Sequence, residues 1–397
     1  MSSGNDMPVL QLIYSKGSNE ILNRQSALGS YIFCLCGLLE KNGWKVFINK
    51  DPFDSLVISS DKPGTLKSRK KFSVGKFVPS FIKDVLRDKK LFRRNELVYK
   101  DCISLPNSPD LIMEFYTYGS DLSLKVSAYY NKPYCLVFDA PVLEEYEFFN
   151  GKKIVGRNKI LKLQKASVEH ASGIVVYSES MKDFVAGIGA VKEKIRIHQN
   201  VDFSRFEFFE PKPFSNEMCI GFIGSFLKWH NVDLLLEAFS DLRKDGFNIR
   251  LKLVGAGMEF DRIKSKVMSG PDSNQIELLG YLDGAELASE KRKMHIGVMP
   301  GSNWYGAPNK IFEYGAAGLA VVAPDTLTIH DLFGKDKEVL LFKENSKDQL
   351  VASLRVLITD SNRYDEQCLK LQHRIKSDYS ETNTVQFYSS FFDFILS

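Results

Sequence analysis

Residues 220–239 read IGFIGSFLKWHNVDLLLEAF. The apolar start predicts a buried strand that ends at Gly224, and the amphipathic second half predicts a helix that begins directly after His230. Gly224 would let a bulky group approach the backbone, and the free amide groups at a helix start favour an anion such as a phosphate. Lys228 and His230 would add positive charge. The alternative is an ordinary strand–helix turn with a surface lysine.

The same alternation of a short apolar run and an amphipathic stretch extends along most of the chain, which predicts βαβ units with parallel sheets. In the second half we expect six strands, each followed by a helix, at 219–223, 250–254, 276–279, 296–299, 320–323 and 339–342. In the first half we expect strands at 9–14, 44–49, 55–58, 111–115, 134–138, 173–177 and 194–198. The predicted fold class is therefore α/β, with two Rossmann-like, doubly wound parallel sheets.

The chain has 397 residues, and single cores stop growing at about 250–300 residues, so we expect two domains. Residues 206–217 contain two prolines and no periodicity, as expected of an interdomain linker. We therefore expect a first domain of residues 1–205, a second of residues 206–378, and a final segment, 379–397, whose helix is apolar on nearly every face and must be buried. The carboxyl ends of both sets of strands are expected to face one central cleft.

Composition excludes several classes of protein. Hydrophobic residues make up 44% and charged residues 26%, which excludes a largely disordered chain. No apolar run approaches the ~20 residues of a membrane-spanning helix, and the first residues do not have the pattern of a secretory signal. The six cysteines form no Cys-x-x-Cys pair and have no histidine cluster beside them, so we expect reduced thiols in a cytoplasmic protein and no zinc site.

Positive charge is concentrated in residues 62–100. This segment contains thirteen Lys or Arg and three acids, a net charge of +10, while the whole chain carries only +4. Four phenylalanines alternate with the basic residues. One interpretation is a surface that lies on anionic lipid at the inner face of the plasma membrane, and the other is a solvated loop and helix. Nothing else resembles a nucleic-acid module, so no nucleic-acid partner is expected.

Residues 300–325 read PGSNWYGAPNKIFEYGAAGLAVVAPD, which predicts a glycine-rich loop, a helix and a strand. Pro308 is suited to the first turn of that helix. Lys310 near the helix start opposes the helix dipole, which suggests an anionic ligand there. Glu313, three residues on, lies on the same face and is suited to accepting from paired hydroxyls, as on a ribose. The alternative is a Lys–Glu surface pair.

Acidic residues follow the strand predicted at 134–138. Asp139 comes directly after it, and Glu144 and Glu145 lie in the next loop or helix. Such carboxylates can position or deprotonate an acceptor hydroxyl, or can simply cap and start a helix. In the segment IHQNVDFSRF, residues 197–206, turn chemistry alone accounts for the Asn and Asp, and His198 is typical of a structural histidine.

Together these segments resemble the family 4 glycosyltransferases, which are retaining, nucleotide-sugar-dependent enzymes of the two-Rossmann GT-B fold. The resemblance rests on GSFLKWHNVDLLLEAF at 224–239, LVGAG at 253–257, LGY at 279–281 and PNKIFEYGAAGLAVVA at 308–323. It extends over about residues 105–395, because NVD at 200–202 is similar to the family's hinge signature, and DLIME at 110–114 and DAP at 139–141 resemble one branch of the family.

The resemblance implies roles for individual residues. Glu313 matches the second acid of the family's two-Glu motif, which holds the nucleotide ribose, whereas the first acid is replaced by Tyr305. Ser225 and His230 stand where the family has its phosphate-binding Arg and Lys. The family's usual histidine after the fourth strand is replaced by Asp139.

The resemblance further implies transfer of a sugar from a nucleoside-diphosphate sugar to an acceptor hydroxyl with retention, and a last helix that crosses back to the first domain. We expect no metal and no other cofactor, and we expect catalytic roles for Asp139, Glu144 and Lys310. The expected donor-binding residues are Gly224, Ser225, Lys228, His230, Gly255, Gly257, Tyr281, Tyr305, Gly306, Ala307, Pro308, Asn309, Lys310 and Glu313. The acceptor is a glycan, lipid-linked or small molecule, and the basic segment favours a lipid-linked glycan for a surface polysaccharide or glycolipid.

Other functions remain open at this point. A nucleotide-sugar epimerase or a sugar phosphorylase can have the same fold, the latter usually with a pyridoxal phosphate. The replaced Glu, Arg and Lys also suggest a catalytically inactive, membrane-associated partner of an active transferase.

Overall fold

The computed structural model describes residues 7–16, 27–60, 80–151, 154, 156–199, 201–335 and 338–397. The chain forms two compact units. The first comprises Met1–Asp202 together with Glu381–Ser397, and the second is Phe203–Ser380. Asn200 of the hinge-like signature and residues 62–79 of the basic segment lie outside the described residues.

The first unit contains one seven-stranded sheet. Its strands are β1 (Val9–Ile13), β2 (Lys45–Ile48), β3 (Asp51–Pro52), β4 (Leu111–Phe115), β5 (Tyr134–Val137), β6 (Gly173–Val176) and β7 (Ile195–Ile197). The spatial order is β3-β2-β1-β4-β5-β6-β7. All neighbours are parallel except β2 and β3, which form a short antiparallel pair at the edge.

Helices cover this sheet, as apolar strands in parallel sheets require. They are α1 (Ala27–Lys41), α2 (Phe53–Ser60), α3 (Ser80–Cys102), α4 (Leu122–Tyr130), α5 (Val142–Asn150), α6 (Arg157–Glu169) and α7 (Glu179–Ile188). Every residue of β4 and β5 is buried, which explains their nearly continuous apolar sequences. Glu114 in β4 is also buried although it is acidic. Its carboxylate accepts a 3.0 Å hydrogen bond from the amide of Ser123 and another from the Ser120 hydroxyl.

The second unit is more regular. Its strands are β8 (Met218–Ile223), β9 (Ile249–Val254), β10 (Ile276–Gly280), β11 (Ile296–Val298), β12 (Ala320–Pro324) and β13 (Leu340–Phe342). Its helices are α8 (Val232–Lys244), α9 (Phe260–Ser269), α10 (Gly284–Lys293), α11 (Asn309–Ala316), α12 (Leu327–Phe333), α13 (Lys347–Thr359) and α14 (Ser361–Asp378). The order β10-β9-β8-β11-β12-β13 is that of a Rossmann sheet, with all neighbours parallel. The predicted fold class, two doubly wound parallel sheets, is confirmed.

One predicted strand was wrong. Residues 55–58 belong to α2, because Phe53 and Leu56, three residues apart, bury one helical face although Val57 and Ile58 favour a strand. In the basic segment, residues 80–100 and the two residues that follow form the long helix α3 of 23 residues. Among the described residues, no helix is long and apolar enough to span a membrane.

The last helix, α15 (Glu381–Leu396), belongs to the first unit although it follows the second in sequence. Its Tyr388 hydroxyl lies 3.2 Å from that of Tyr31, and its Phe392 ring packs edge-on against Trp44 at 5.0 Å between centroids. Buried aromatic side chains of α15 thus complete the core on one side of the first sheet.

Candidate active site

The second sheet reverses its strand order between β8 and β11, which are neighbours in space. In open α/β sheets, ligands bind outside the carboxyl ends of strands at such a reversal. Gly224 follows β8, and residues 299–308 follow β11 and lead into α11. Most of the predicted donor-binding residues are therefore concentrated at the edge of this sheet where a ligand is expected.

Lys310 lies over Gly224. A methyl group at position 224 would be 2.4 Å from Lys310 Cε and 3.1 Å from its Nζ. Helix α11 is held against β8 because the Tyr314 hydroxyl accepts a 2.7 Å hydrogen bond from the amide of Ile223, at the end of that strand. The missing side chain at position 224 is what allows the lysine ammonium to lie at the end of the strand.

His230 completes a small network with Lys310 and Ser225. A short 3-10 turn, Lys228–His230, comes between Gly224 and α8, and it places His230 beside Ser225. His230 Nε2 lies 3.0 Å from Lys310 Nζ, and His230 Nδ1 contacts the Ser225 carbonyl oxygen. Because an ammonium only donates, Nε2 is the acceptor and Nδ1 carries the proton, which it donates to Ser225.

Burial sets the charge of this network. It lowers the pKa of Lys310 to about 8, an effect that Glu313 partly opposes. Burial, and then the charge of Lys310, lower the pKa of His230 to about 4, against the hydrogen bond to Ser225. At neutral pH the pair therefore carries one positive charge, on Lys310, with a neutral His230 as its hydrogen-bond acceptor.

Glu313 lies one turn along α11 from Lys310. Its side chain is 16% exposed, and its Oε1 lies 3.8 Å from Arg205 Nη1. Arg205 was not predicted as a site residue, because its pairing with Glu313 joins two segments that are far apart in the chain and no local spacing marks it. Glu313 is thus a largely buried carboxylate whose charge is partly balanced by two cations.

Gly255 and Gly257 fold the loop after β9 against the loop after β8. A methyl group at 255 would be 1.9 Å from the Gly224 carbonyl oxygen, and one at 257 would be 2.6 Å from that of Phe226. Both glycines have positive φ angles, 135° and 156°, which side chains rarely adopt. Their role in the structure is to hold the backbone around Gly224 in place.

The remaining residues of the loop after β11 lead into α11. Residues 306–309 precede or begin this helix, and Pro308 stands at its boundary. Tyr305, at the position of the family's first acid, is buried, and its hydroxyl accepts a 3.1 Å hydrogen bond from Asn303. The tyrosine therefore packs into the loop as a structural residue.

Lys228 and Tyr281 are not joined to the group of residues around Lys310. Both are exposed, Tyr281 by 63%. Lys228 lines a separate cavity of about 560 Å³ with Gly301 and Asn345, and Lys310 is not among the residues around it. The structure thus brings Gly224, Ser225, His230, Lys310 and Glu313 together but does not join Lys228 or Tyr281 to them.

A second cavity lies in the first unit, whose sheet reverses its order between β1 and β4. The cavity has a volume of about 600 Å³. It is lined by residues that follow β1, β4 and β5, among them Lys16, Tyr118 and Asp139, and by one face of α3. Sequence reasoning identified Asp139 but missed α3, because the cations of that helix were assigned to a surface.

The three acids of this region take different positions. Burial, and then the charge of Glu145, raise the pKa of Asp139 to about 7, whereas nearby Lys16 opposes the shift. Glu145 lines the cavity with Asp139. Glu144 is not among the lining residues, and its Oε1 lies 3.8 Å from Arg157 Nη2. Of the two adjacent glutamates, the structure places Glu145 beside Asp139.

Among the described residues, no group of three or more His, Cys, Asp or Glu is arranged to hold a metal ion. The positive charge at the end of β8 comes from Lys310, with Arg205 close to Glu313.

The chain is similar to known proteins in sequence and in fold. Residues 203–377 match the sequence model of a family described as glycosyl transferases group 1. An uncharacterized glycosyltransferase from Methanocaldococcus jannaschii is 22% identical over 236 residues, which are 58% of this chain and 60% of that relative. The chain thus matches less than two thirds of the length of this curated protein.

Two solved structures are similar over nearly the whole chain. Anabaena HepE in complex with UDP has a TM-score of 0.67 and 14% identity, covering 98% of this chain and 100% of that one. Sucrose-phosphate synthase from Thermosynechococcus elongatus has a TM-score of 0.65 and 16% identity, covering 97% and 99%. At such identities these likenesses establish the fold alone. The family match extends over nearly all of the second unit, so residues 203–377 of this chain are similar in sequence to the glycosyl transferases group 1.

Proposed function

We propose that this protein is a retaining glycosyltransferase, hexosyltransferase-like, that moves a sugar from a nucleoside-diphosphate sugar to an acceptor hydroxyl. The observation that carries the proposal is the position of Lys310, whose ammonium lies at the end of β8 beside His230, with Glu313 one turn away. A cation for a diphosphate and a carboxylate for a ribose thus occur at the reversal point of a Rossmann sheet. Anabaena HepE, which shares the fold, has been crystallised with UDP-glucose, which supports a UDP-sugar donor.

The chemical task of such a site is to stabilise the charge that grows on the departing diphosphate. Lys310 would supply a full positive charge, and the amides at the start of α11 would supply partial charges. In this geometry the leaving phosphate can itself take the proton of the acceptor hydroxyl, so that the incoming group adds on the face from which the diphosphate leaves. These groups belong to the chain itself, so we expect transfer to continue in the presence of a metal chelator.

The acceptor is proposed to belong to surface polysaccharide or glycolipid biosynthesis at the inner face of the plasma membrane. Helix α3 supports this location because exposed Ile82, Leu86 and Leu97 alternate with exposed Lys and Arg along it. Apolar side chains among cations suit an anionic lipid surface.

A screen of nucleotide sugars tests the function. The donor should raise the melting temperature, and incubation with that donor and a membrane extract should give a product whose anomeric configuration, read by NMR, equals that of the donor. An inverted product would overturn retention. Formation of an epimer from the donor alone would identify the alternative epimerase, and failure of all nucleotides to bind would favour an inactive partner, which the replacement at Tyr305 also suggests.

Binding of UDP is expected to weaken by about tenfold between pH 7 and pH 9. The pKa of Lys310 is lowered to about 8 in the free protein, so its charge is present below that pH and is lost above it. His230, with a pKa of about 4, stays neutral throughout this range and does not contribute. Calorimetry at a series of pH values measures the effect. Lys310→Arg keeps the charge and should flatten the profile, whereas an equally steep profile in that variant would contradict the assignment.

Replacing Gly224 by alanine is expected to weaken UDP binding by about tenfold with little change in melting temperature. The new methyl group would lie 2.4 Å from Lys310 Cε, and the flexible end of the lysine can move away, so that the ammonium is displaced while the fold remains. Gly187→Ala is the control, because a methyl group there meets nothing within 4 Å. Unchanged affinity in Gly224→Ala would show that the position of Lys310 over this glycine does not matter for the nucleotide.

A further inference from the structure

We propose that the cavity of the first unit binds an acceptor that carries a phosphate or diphosphate group, and that Lys90 and Arg94 of α3 hold this group. The proposal rests on the glycosyltransferase function proposed above and names the class of its acceptor. Such a phosphate or diphosphate group occurs both in a sugar phosphate in solution and in a lipid-linked sugar phosphate.

The cavity has the position and size of a ligand site. Its volume of about 600 Å³ lies within the range of small-molecule pockets, roughly 300–1,000 Å³. It lies where the first sheet reverses its strand order, between β1 and β4. Thr117, after β4, donates a 2.9 Å hydrogen bond to Ser15, after β1, and thereby ties the two loops that form its floor.

Helix α3 turns a positively charged face to this cavity. Arg87, Lys90, Leu91 and Arg94 all line it, and their spacing of three and four residues places them on one side of a helix. Lys90 and Arg94 are four residues apart, and no ion pair links either to another described residue. Like charges at this spacing destabilise a helix slightly, so an anion between them would be favourable.

Arg87 behaves differently from these two cations. Its guanidinium lies 2.8 Å from an Asp84 carboxylate oxygen and 3.5 Å from one of Asp88, and it packs over the Tyr146 ring at 4.7 Å. Arg87 also interacts with the Tyr118 hydroxyl through a side-chain hydrogen bond. Its guanidinium is therefore engaged by neighbouring groups, unlike the side chains of Lys90 and Arg94.

The positive charges of Lys90 and Arg94 match a phosphate better than a carboxylate. Lys90 and Arg94 provide two positive charges, while a phosphate group carries about −1.5 to −2 at neutral pH and accepts several charge-assisted hydrogen bonds. A uronic acid would supply only one negative charge. The ligand of this cavity need not be a nucleotide, because the second unit already has its own candidate site for the nucleotide donor.

The other walls suit the sugar part of such an acceptor. Asp139 and Glu145 provide carboxylates that accept hydrogen bonds from hydroxyl groups. Tyr118 and Tyr146, whose rings stack at 4.3 Å between centroids, provide flat apolar surface. Cations, carboxylates and aromatic rings in one cavity fit a sugar that carries a phosphate.

Two double variants of the full-length protein test the proposal. K90A/R94A removes both cations from the cavity, whereas K89A/R93A removes two exposed cations from the same helix that do not line it. The net charge change is the same, so a general attraction of anions to α3 would affect both equally. Calorimetry is carried out with saturating UDP, which occupies the site in the second unit, and with glucose 1-phosphate, methyl glucoside, or a polyprenyl diphosphate-linked sugar in neutral detergent micelles as probes.

We expect at least one phosphorylated probe to bind the wild-type protein and K89A/R93A equally, and K90A/R94A about 10- to 100-fold more weakly, with methyl glucoside not binding. Preference for glucose 1-phosphate would identify a soluble acceptor, and preference for the micellar probe a lipid-linked one, and both support the proposal. Equal weakening in the two double variants, or no binding of any phosphorylated probe while UDP binds, overturns it and leaves the proposed function intact. Failure of every nucleotide in the donor screen to bind the wild-type protein overturns the proposed function and, with it, the assignment of an acceptor.

Discussion

Replacement of Lys310 by alanine is expected to lower kcat by about two to three orders of magnitude, the usual loss when one preorganised donor to a developing negative charge is removed. Lys310 lies at the end of β8 over Gly224, where burial strengthens its interaction with a diphosphate. The charge on that group is greater after the glycosidic bond breaks than before, so the lysine stabilises the transition state more than the bound donor. Steady-state turnover with a saturating UDP-sugar measures the effect.

The matched control is Lys264→Ala, which removes the same charge from an exposed position on α9. It should leave kcat within about twofold of the wild-type value, because isolated surface charges have small effects. Lys310→Arg should recover part of the lost activity, since it keeps the charge but not the shape of the ammonium. Similar turnover in Lys310→Ala and the control would remove the lysine from the reaction.

Replacement of Glu313 by glutamine is expected to weaken UDP binding by about 10- to 100-fold, since a hydrogen bond to a charged group contributes roughly 1.5–3 kcal/mol. The side chain is 16% exposed and lies one turn from Lys310, so it can accept from both ribose hydroxyls with little competition from water. Calorimetry with UDP and with 2′,3′-dideoxy-UDP tests the contact. The wild-type protein should distinguish the two nucleotides strongly, and Glu313→Gln should hardly distinguish them.

Arg205→Ala provides the comparison for this experiment. Its guanidinium lies 3.8 Å from Glu313 and is 40% exposed, so the ion pair contributes about 1 kcal/mol at most. If Arg205→Ala reproduced the whole effect of Glu313→Gln, and both variants still distinguished the two nucleotides, Glu313 would be a partner of Arg205 rather than a ribose ligand.

The sequence predicted the second unit better than the first for a physical reason. In residues 218–359, each strand is followed by a helix in the regular alternation that the sequence pattern predicts, so the local pattern and the final fold agree. In the first unit, the run at 55–58 has the β-branched residues of a strand, yet it lies in α2 because Phe53 and Leu56 are buried at helical spacing. Local propensity cannot show whether the surrounding core buries this segment with the spacing of a helix or with that of a strand.

The candidate site, too, was predicted where its features are local and not where they join distant segments. Gly224, Lys310 and Glu313 were predicted because glycine and helix-start chemistry are local features of the chain. The pairing of Glu313 with Arg205, and the approach of α3 to Asp139, depend on segments that are distant in sequence. Sequence spacing shows that Lys90 and Arg94 share a helical face, but not that this face meets a cavity.

The return of α15 to the first unit has a consequence for biosynthesis. During translation, residues 7–202 emerge from the ribosome before residues 203–380, yet Trp44 lacks the Phe392 ring and Tyr31 lacks the Tyr388 hydroxyl until residues 381–397 have been made. Residues 203–380 are contiguous and can close their own core earlier. The second unit is therefore expected to complete its fold before the first, although it is synthesised later. We expect the nascent first unit to be the part of the chain that depends most on chaperones.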